Sequence, residues 1–389
     1  MTDSNYELAC FCALNRIFGF EPTIARRLVE HYGSAGALFG MSDEEKLKLL
    51  GPFSKYAGQI NGGNLEAAAK ELEWLRSEGY VFLSIEDENY PSLLKECDDA
   101  PMGLYVRASS PPEEVFNCDP CVAVVGTRDL SLYGKEWCRR IVTALATAQR
   151  KPVIVSGLAL GVDINAHLTA LENGLKTIAV MATGIEGVYP SRHREFAARI
   201  AATGACALIT DYPPGTSPVA INFMRRNRII AGISGATVLV ESREKGGGMI
   251  TANLAQSYNR DVFALPGRID DPRSQGCNRL IRGKVAEPIT DLDEFVDSIG
   301  LGIYNRRTRR SLDEELLDRY GGKMGVKELN DLRRIAGLIK KYRGANIEEL
   351  CEGSGLRFNE VAALAGILEN DGIIDIDLLQ RCTINVKKA

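Results

Sequence analysis

Apolar residues recur at helical spacing through the first part of the chain, at Leu8, Cys12, Leu14, Ile17, Ala25, Leu28 and Val29. With Ala67-Ala68-Ala69 in a later helix, residues 5 to about 76 read as helical. Phe18-Gly19-Phe20-Glu21-Pro22 marks a turn between two of these helices. It has the outline of a helix-hairpin-helix, whose backbone amides hold a phosphate, but with one glycine where that hairpin has two. A plain helical packing domain fits as well. From Cys121 to about Ile281 the period changes. Short runs rich in β-branched residues alternate with amphipathic stretches: Cys121–Val125, Val153–Val155, Thr177–Met181, Ala207–Thr210, Thr237–Val240 and Asp261–Leu265. Such runs, bounded by glycine and separated by helix-length segments, describe buried parallel strands linked by crossover helices. The expectation is a doubly wound α/β domain, with Tyr80 to Arg107 adding edge structure.

Beyond Gly300 the chain becomes strongly charged. Tyr304 to Arg343 carries 12 Lys or Arg against 6 Asp or Glu, a local balance of +6. Arg306-Arg307-Thr308-Arg309-Arg310 reads as a solvated connector. Ile347 to Ile384 is compact again: a helix over Ile347–Cys351, a turn at Gly353-Ser354-Gly355, and a helix from Phe358 to Asn370 with Val361, Leu364 and Leu368 on one face. Asp371-Gly372-Ile373-Ile374 then opens a hairpin, and the set predicts a small winged helix. The expected division is a helical domain over 1–78, an α/β domain over 79–300, a charged linker over 301–343 and a winged-helix-like domain over 344–389.

At 389 residues, 45% apolar and 25% charged, the chain has the composition of a soluble globular protein. Met1 to Glu7 is polar and acidic, unlike a secretory signal, and no apolar run approaches the roughly 20 residues that span a bilayer. A cytoplasmic location with no membrane partner is expected. Ten cysteines lie scattered from Cys10 to Cys382, mostly in apolar stretches, as reduced buried thiols do. Cys118-Asp119-Pro120-Cys121 has redox or zinc-knuckle spacing but no second pair and no histidine nearby. The net charge of −4 confines any nucleic-acid site to a local patch.

Ligands of open parallel sheets bind outside the carboxyl ends of the strands. Here those ends run into Gly126-Thr127-Arg128, Ser156-Gly157-Leu158-Ala159-Leu160-Gly161, Thr183-Gly184 and Glu241-Ser242 with Gly246-Gly247-Gly248. Glycine lets backbone N–H groups approach a ligand, and a helix starting there adds partial positive charge, so several such loops point to an anion site. Neither the dinucleotide fingerprint nor the phosphate loop of ATPases is present, so neither NAD nor ATP is expected, and no cofactor or metal. The segment Asn222-Phe223-Met224-Arg225-Arg226-Asn227-Arg228 carries three arginines, and Tyr212 to Val240 contains no acid. On a helix Arg225 and Arg228 share a face. Their guanidinium forks grip phosphate and Phe223 offers a stacking face. The bland alternative is that these arginines pair with carboxylates elsewhere. The three histidines assemble no catalytic group: His31 and His167 fall in helices, and His193 reads as a solvated loop residue. Asp163 fits the first turn of a helix, where a carboxylate suits the dipole.

Gly126-Thr127-Arg128 followed by Tyr133-Gly134 resembles the Gly-Ser/Thr-Arg motif of the DNA-processing protein A family (DprA, also called Smf). The resemblance continues through Ser156 to Asp163, Val188-Tyr189-Pro190, Tyr212-Pro213-Pro214-Gly215 and Phe223 with Arg226 to Gly232. It extends through Met249-Ile250-Thr251-Ala252, Leu265-Pro266-Gly267 and Gly276 to Ile281, with Tyr90 to Leu94 and Ala100-Pro101 upstream. It covers roughly residues 85 to 285. It implies a Rossmann-like domain that binds single-stranded DNA in a basic pocket, flanked by an N-terminal SAM-like or helix-hairpin-helix-like domain and a C-terminal winged helix. It also implies a homodimer that partners the RecA recombinase in natural transformation and catalyses nothing. Carried over by motif, Arg128 meets phosphate while Gly126 and Thr127 shape the loop. Phe223, Arg226, Asn227 and Arg228 line the pocket, with Arg225, Ser156, Gly157 and Lys245 as further candidate contacts.

Asp211 stands where the family has glutamate, Gly246-Gly247-Gly248 replaces Ser-Gly-Ser, and Cys277 replaces a small hydroxyl residue, which puts pocket details in doubt. A nucleotide hydrolase is the competing reading, since Glu241 beside Gly246–Gly248 echoes nucleoside monophosphate glycosidases. A transcription regulator ranks lower, because Phe358 to Asn370 contains Glu360 and Glu369 but no Lys or Arg.

Overall fold

The computed structural model describes residues 3–116, 120–302, 312–342, 344–377 and 381–384. Met1–Tyr304 forms one compact unit and Asn305–Ala389 another. No helix among the described residues is long and apolar enough to cross a membrane.

The first unit is built on a nine-stranded sheet. Its strands are β1 (Val81–Ser84), β2 (Gly103–Arg107), β3 (Cys121–Val125), β4 (Val153–Ser156), β5 (Thr177–Val180), β6 (Ala207–Thr210), β7 (Ala236–Leu239), β8 (Asp261–Ala264) and β9 (Glu287–Pro288). Their order is β1-β2-β6-β5-β4-β3-β7-β8-β9. All pairs from β6 through β9 are parallel. The Tyr80–Arg107 stretch supplies the antiparallel edge, as expected: β2 runs against β6 and β1 against β2.

Strands β4 to β7 are buried throughout, which is why they read as unbroken apolar runs. Alternation still decides which layer each residue joins. Val122 and Val124 of β3 pack under the helices Leu132–Ala146, Val162–Glu172 and Leu292–Ser298, whereas Ala123 and Val125 face the other layer. That second layer contains the helices Ala220–Ile233 and Gly247–Ser257. Its core also includes Ala9 to Phe18 and Leu72 to Leu75, so the N-terminal helices share one apolar core with the sheet. Asn15 Nδ2 donates to Asp211 O at 2.9 Å, and Tyr105 Oη donates to the buried Glu71 at 2.6 Å.

The chain leaves β3 towards β4, β5 and β6 on one side, then crosses to β7 and β8 on the other. The switch therefore falls between β3 and β7. Their carboxyl ends diverge there and leave a crevice.

In the second unit, helices Leu312–Tyr320 and Val326–Tyr342 precede β10 (Ala345–Asn346), helices Ile347–Ser354 and Phe358–Asn370, β11 (Ile374–Ile376) and β12 (Arg381–Ile384). These strands form an antiparallel sheet in the order β10-β12-β11. Residues 312–342, expected as solvated linker, are corrected to two helices that build this core. Leu316, Leu329, Leu332, Ile335, Ala336 and Ile339 are buried in it. The charge count hid a helical period of apolar positions. The arginine cluster Arg306 to Arg310 lies outside the described residues, as do Cys118 and Asp119 of the Cys-x-x-Cys stretch.

Candidate functional site

The crevice at the switch point encloses about 670 Å³. The loop after β3 forms one wall through Gly126, Thr127 and Arg128. The loop after β7 forms another through Ser242, Arg243, Lys245 and Gly246 to Gly248. The helix Ala220–Ile233 closes it with Phe223, Arg226 and Asn227. A backbone bond holds the two loops together, since Thr127 N donates to Glu241 O at 2.7 Å, and Val162 N, from the segment after β4, donates to Thr127 O at 3.2 Å. Gly161 has a φ of +76°, and a Cβ there would strike the Thr127 carbonyl.

Three helices begin at this crevice without a capping side chain: Val162–Glu172 after Gly161, Ala220–Ile233 after Val219 and Gly247–Ser257 after Gly246. Their dipoles add positive potential, and the first N–H groups of the Ala220 and Gly247 helices have no intrahelical partner, whereas Val162 N is already bonded to Thr127 O. Arg128, Arg243 and Lys245 are exposed on the rim, and the nearest carboxylate to Arg243 is Asp129 at 3.9 Å. The Arg128 guanidinium lies 5.0 Å from the Phe223 ring centroid. Tyr189 stands edge-on to the same ring at 5.3 Å. The result is a cation-backed aromatic face beside bare helix starts. This arrangement suits a phosphate with a flat ring attached.

Arg226 occupies the floor. It is 3% exposed, and its Nη1 donates to Gly157 O at 2.5 Å and also to Val180 O. Its Nε has no hydrogen-bond partner. Burial lowers its pKa to about 10, against the raising influence of Asp163. Burial likewise raises the Asp163 pKa, with Arg226 opposing it. Ser156 and Gly157 lie behind this floor. Ser156 Oγ donates to Val124 O at 2.6 Å, and any side chain at 157 would run into the Arg226 guanidinium. They position Arg226 and do not line the crevice.

The arginine run divides three ways, which corrects the expectation that Arg225 and Arg228 face one anion. Arg225 points away from the crevice, donates to Gly19 O at 2.7 Å and stacks 4.3 Å over Phe20. Arg228 is buried in an ion pair with Asp211 and donates to Asp99 O. That is the bland pairing weighed above, with the partner one residue outside the stretch that lacked acids. Arg226 alone of the three reaches the crevice.

A family model described as DNA recombination-mediator protein A matches residues 81–300. This chain belongs to that family. Protein Smf of Synechocystis sp. is 35% identical over 308 residues, covering 76% of this chain and 74% of that protein. The DNA processing protein DprA of Streptococcus pneumoniae is 39% identical over 203 residues, covering 51% and 67%. In three dimensions the chain resembles the S. pneumoniae DprA structure with a TM-score of 0.62 at 29% identity, over 77% of this chain and 98% of that one. It also resembles DNA processing protein A from Helicobacter pylori, with a TM-score of 0.50 at 30% identity over 57% and 95%. The H. pylori protein is described as having a unique single-stranded DNA binding mode.

In this DprA-family chain, Glu241 is a structural brace. It is 1% exposed, and its carboxylate accepts from Ser131 N at 3.0 Å and from Ser131 Oγ, bracing the start of the Leu132–Ala146 helix. His193 is buried, with Nδ1 2.8 Å from Leu158 O, which corrects its reading as a solvated loop residue. His167 is buried against Thr177 Oγ1 at 2.7 Å. No cluster of three or more metal-type ligands occurs among the described residues. Sequence reasoning missed Arg243 and Tyr189 as rim residues. The available signal was two cations, Arg243 and Lys245, directly before three glycines.

Proposed function

We propose that this chain binds single-stranded DNA along the crevice and delivers it to a RecA-type recombinase during DNA processing in natural transformation. The observation that carries the reading is the conjunction of Arg128 stacked on Phe223 with three uncapped helix starts over the buried Arg226. Phosphates need the N–H groups and cations, and an unpaired base needs the open ring. A duplex hides its bases, so the aromatic face favours a single strand. The H. pylori relative supports the same ligand.

The protein acts in this reading as a homodimer that performs no reaction of its own. In this reading the C-terminal segment works as a winged helix, which is supported by two helices followed by two antiparallel strands, the second of which also pairs with β10. Its second helix carries Glu360 and Glu369 and no Lys or Arg, so it suits a protein partner better than a DNA groove.

Equilibrium binding of a fluorescent oligonucleotide, single-stranded against double-stranded and titrated with salt, tests the reading. Preference for the single strand, falling as salt rises, is the expected result. Equal binding to duplex, or none to either, rules it out.

A further inference from the structure

Beside the crevice lies a second concavity that the strand-binding reading leaves unused. It is a groove of about 660 Å³ between the Phe18–Pro22 turn and the far face of the Ala220–Ile233 helix. Its lining is apolar, from Phe20, Ile24, Ile221, Met224, Ile250 and Leu254. Three of these are open to solvent: Phe20 is 56% exposed, and Ile221 and Met224 are 46% exposed each. Exposed apolar side chains gathered in one groove mark a binding surface.

Met224 lines both the groove and the crevice, so the two concavities meet across a single side chain. Phe20 repeats the construction at Phe223. A guanidinium, here Arg225, stacks on its ring at 4.3 Å, and more than half the residue's surface stays open. Arg225 has no carboxylate within ion-pairing distance among the described residues. The two acids at the groove are engaged. Asp99 accepts from Tyr258 Oη at 2.7 Å, and Glu21 accepts from Tyr56 Oη at 2.5 Å. A phosphodiester passing over Met224 meets the Arg225 cation and an aromatic ring, as it does in the crevice, with the Glu21 and Asp99 carboxylates held back by their tyrosine donors.

We propose that the groove is a second base-stacking subsite, which takes a nucleobase of the same DNA strand where it leaves the crevice past Met224. The proposal rests on strand binding at the crevice. It gives the N-terminal turn a role that its phosphate-binding outline did not. The amides of Glu21 and Ile24 are spent on Phe18 O at 2.7 Å and Glu21 O at 3.1 Å, and what the turn offers the strand is the ring of Phe20. Because stacking on an apolar surface releases few counterions, this subsite adds affinity with little salt dependence.

The test compares oligothymidylates of about 4 and about 12 nucleotides, within the span of single-strand sites. Phe20→Ala is expected to bind the short strand as wild type does. It should bind the long strand about tenfold more weakly, as loss of one stacked base gives, with the ratio constant across salt. Phe20→Trp keeps a ring, so it should retain long-strand affinity, and its added fluorescence should be quenched by the long strand and not by the short one. This second variant carries the test if Phe20→Ala is poorly folded. Wild-type affinity of Phe20→Ala for both lengths, or no length-dependent quenching, overturns the proposal. Intact DNA binding with an altered sedimentation coefficient would assign the groove to a second copy of the chain instead. Failure of the wild type to bind either length would instead overturn the crevice reading itself.

Discussion

Helix starts in the sheet-bearing unit are built in two ways. Away from the crevice, Ser34, Ser42, Asn61, Ser131 and Asp291 each turn a side-chain oxygen onto an N–H of the first turn, while the starts at Glu21, Pro91, Pro111, His193 and Ser274 do without one. At the crevice, Gly161, Val219 and Gly246 offer nothing. A side-chain cap stabilises a helix by about 1 kcal/mol over a residue such as Val219 and by only a few tenths over glycine, so the bare starts forgo roughly 1–2 kcal/mol between them. The cations divide the same way. Arg228 is consumed by Asp211 in the interior, whereas Arg128 and Lys245 stand open on the rim. On one helix, then, Arg228 is already paired with a carboxylate, while the cations and uncapped helix starts at the crevice are left for a ligand to complete.

The largest expected effect is on the satisfied side. Arg228→Ala leaves Asp211 buried and alone and should lower the unfolding free energy by about 3–5 kcal/mol in urea titrations. Strand affinity of the folded fraction should not change. A stable variant with weakened DNA binding would invert the comparison.

The buried His167, on the helix behind the crevice, gives the next effect. Burial pushes its pKa down to about 3 from 6.5. The unfolded chain takes up this proton below pH 6.5 and the folded chain does not until about pH 3. Stability from this group is therefore complete above pH 6.5 and is lost on acidification, by roughly 2 kcal/mol at pH 5. Comparing unfolding free energies against pH in wild type and His167→Asn should show a shallower acid limb in the variant. Parallel curves would contradict the assignment.

On the unsatisfied side the sign reverses. Arg128→Ala should alter stability by no more than about 0.5 kcal/mol. It should also weaken strand binding about tenfold and reduce the salt slope by about one. The smallest effect sharpens the contrast most. A Cβ at Gly247 meets nothing within 4 Å. Gly247→Asp places a carboxylate at a bare helix start, so it should raise stability by about 0.5 kcal/mol. Strand affinity should fall about threefold through repulsion of phosphate. Thermal melts and anisotropy together would show the opposed movement, and a parallel change in both would break the comparison.

The sheet was legible because its strands are covered on both faces, and burial writes itself as β-branched runs bounded by glycine. The glycine loops were legible because close approach of neighbouring atoms at Gly126, Gly157, Gly161, Gly246 and Gly248 leaves no room for a side chain. The arginines were not. Arg225, Arg226 and Arg228 occupy different faces of one helix, and only tertiary packing decides which face meets the core. The partner of Arg228 was hidden by a narrow margin. Asp211 ends the β6 run and sits just before Tyr212, where the stretch without acids begins. His193 follows Pro190 in a loop that looks solvated, and the Leu158 carbonyl that buries it comes from 35 residues upstream. In 312–342 the dense charge sits on the exposed faces of helices whose apolar period was already in the sequence.

The shared core of the N-terminal helices and the sheet bears on how the protein can be shortened. Phe11, Leu14, Phe18, Leu72 and Leu75 lie in one apolar mass with Phe82, Leu104 and Tyr105. A fragment begun at residue 79 would present the open face of that mass to water, together with an unpaired Tyr105 hydroxyl. Such a fragment should come out of expression as aggregate unless its new surface is recoated with polar residues. For this chain, the smallest soluble unit that still holds the crevice begins near the first helix.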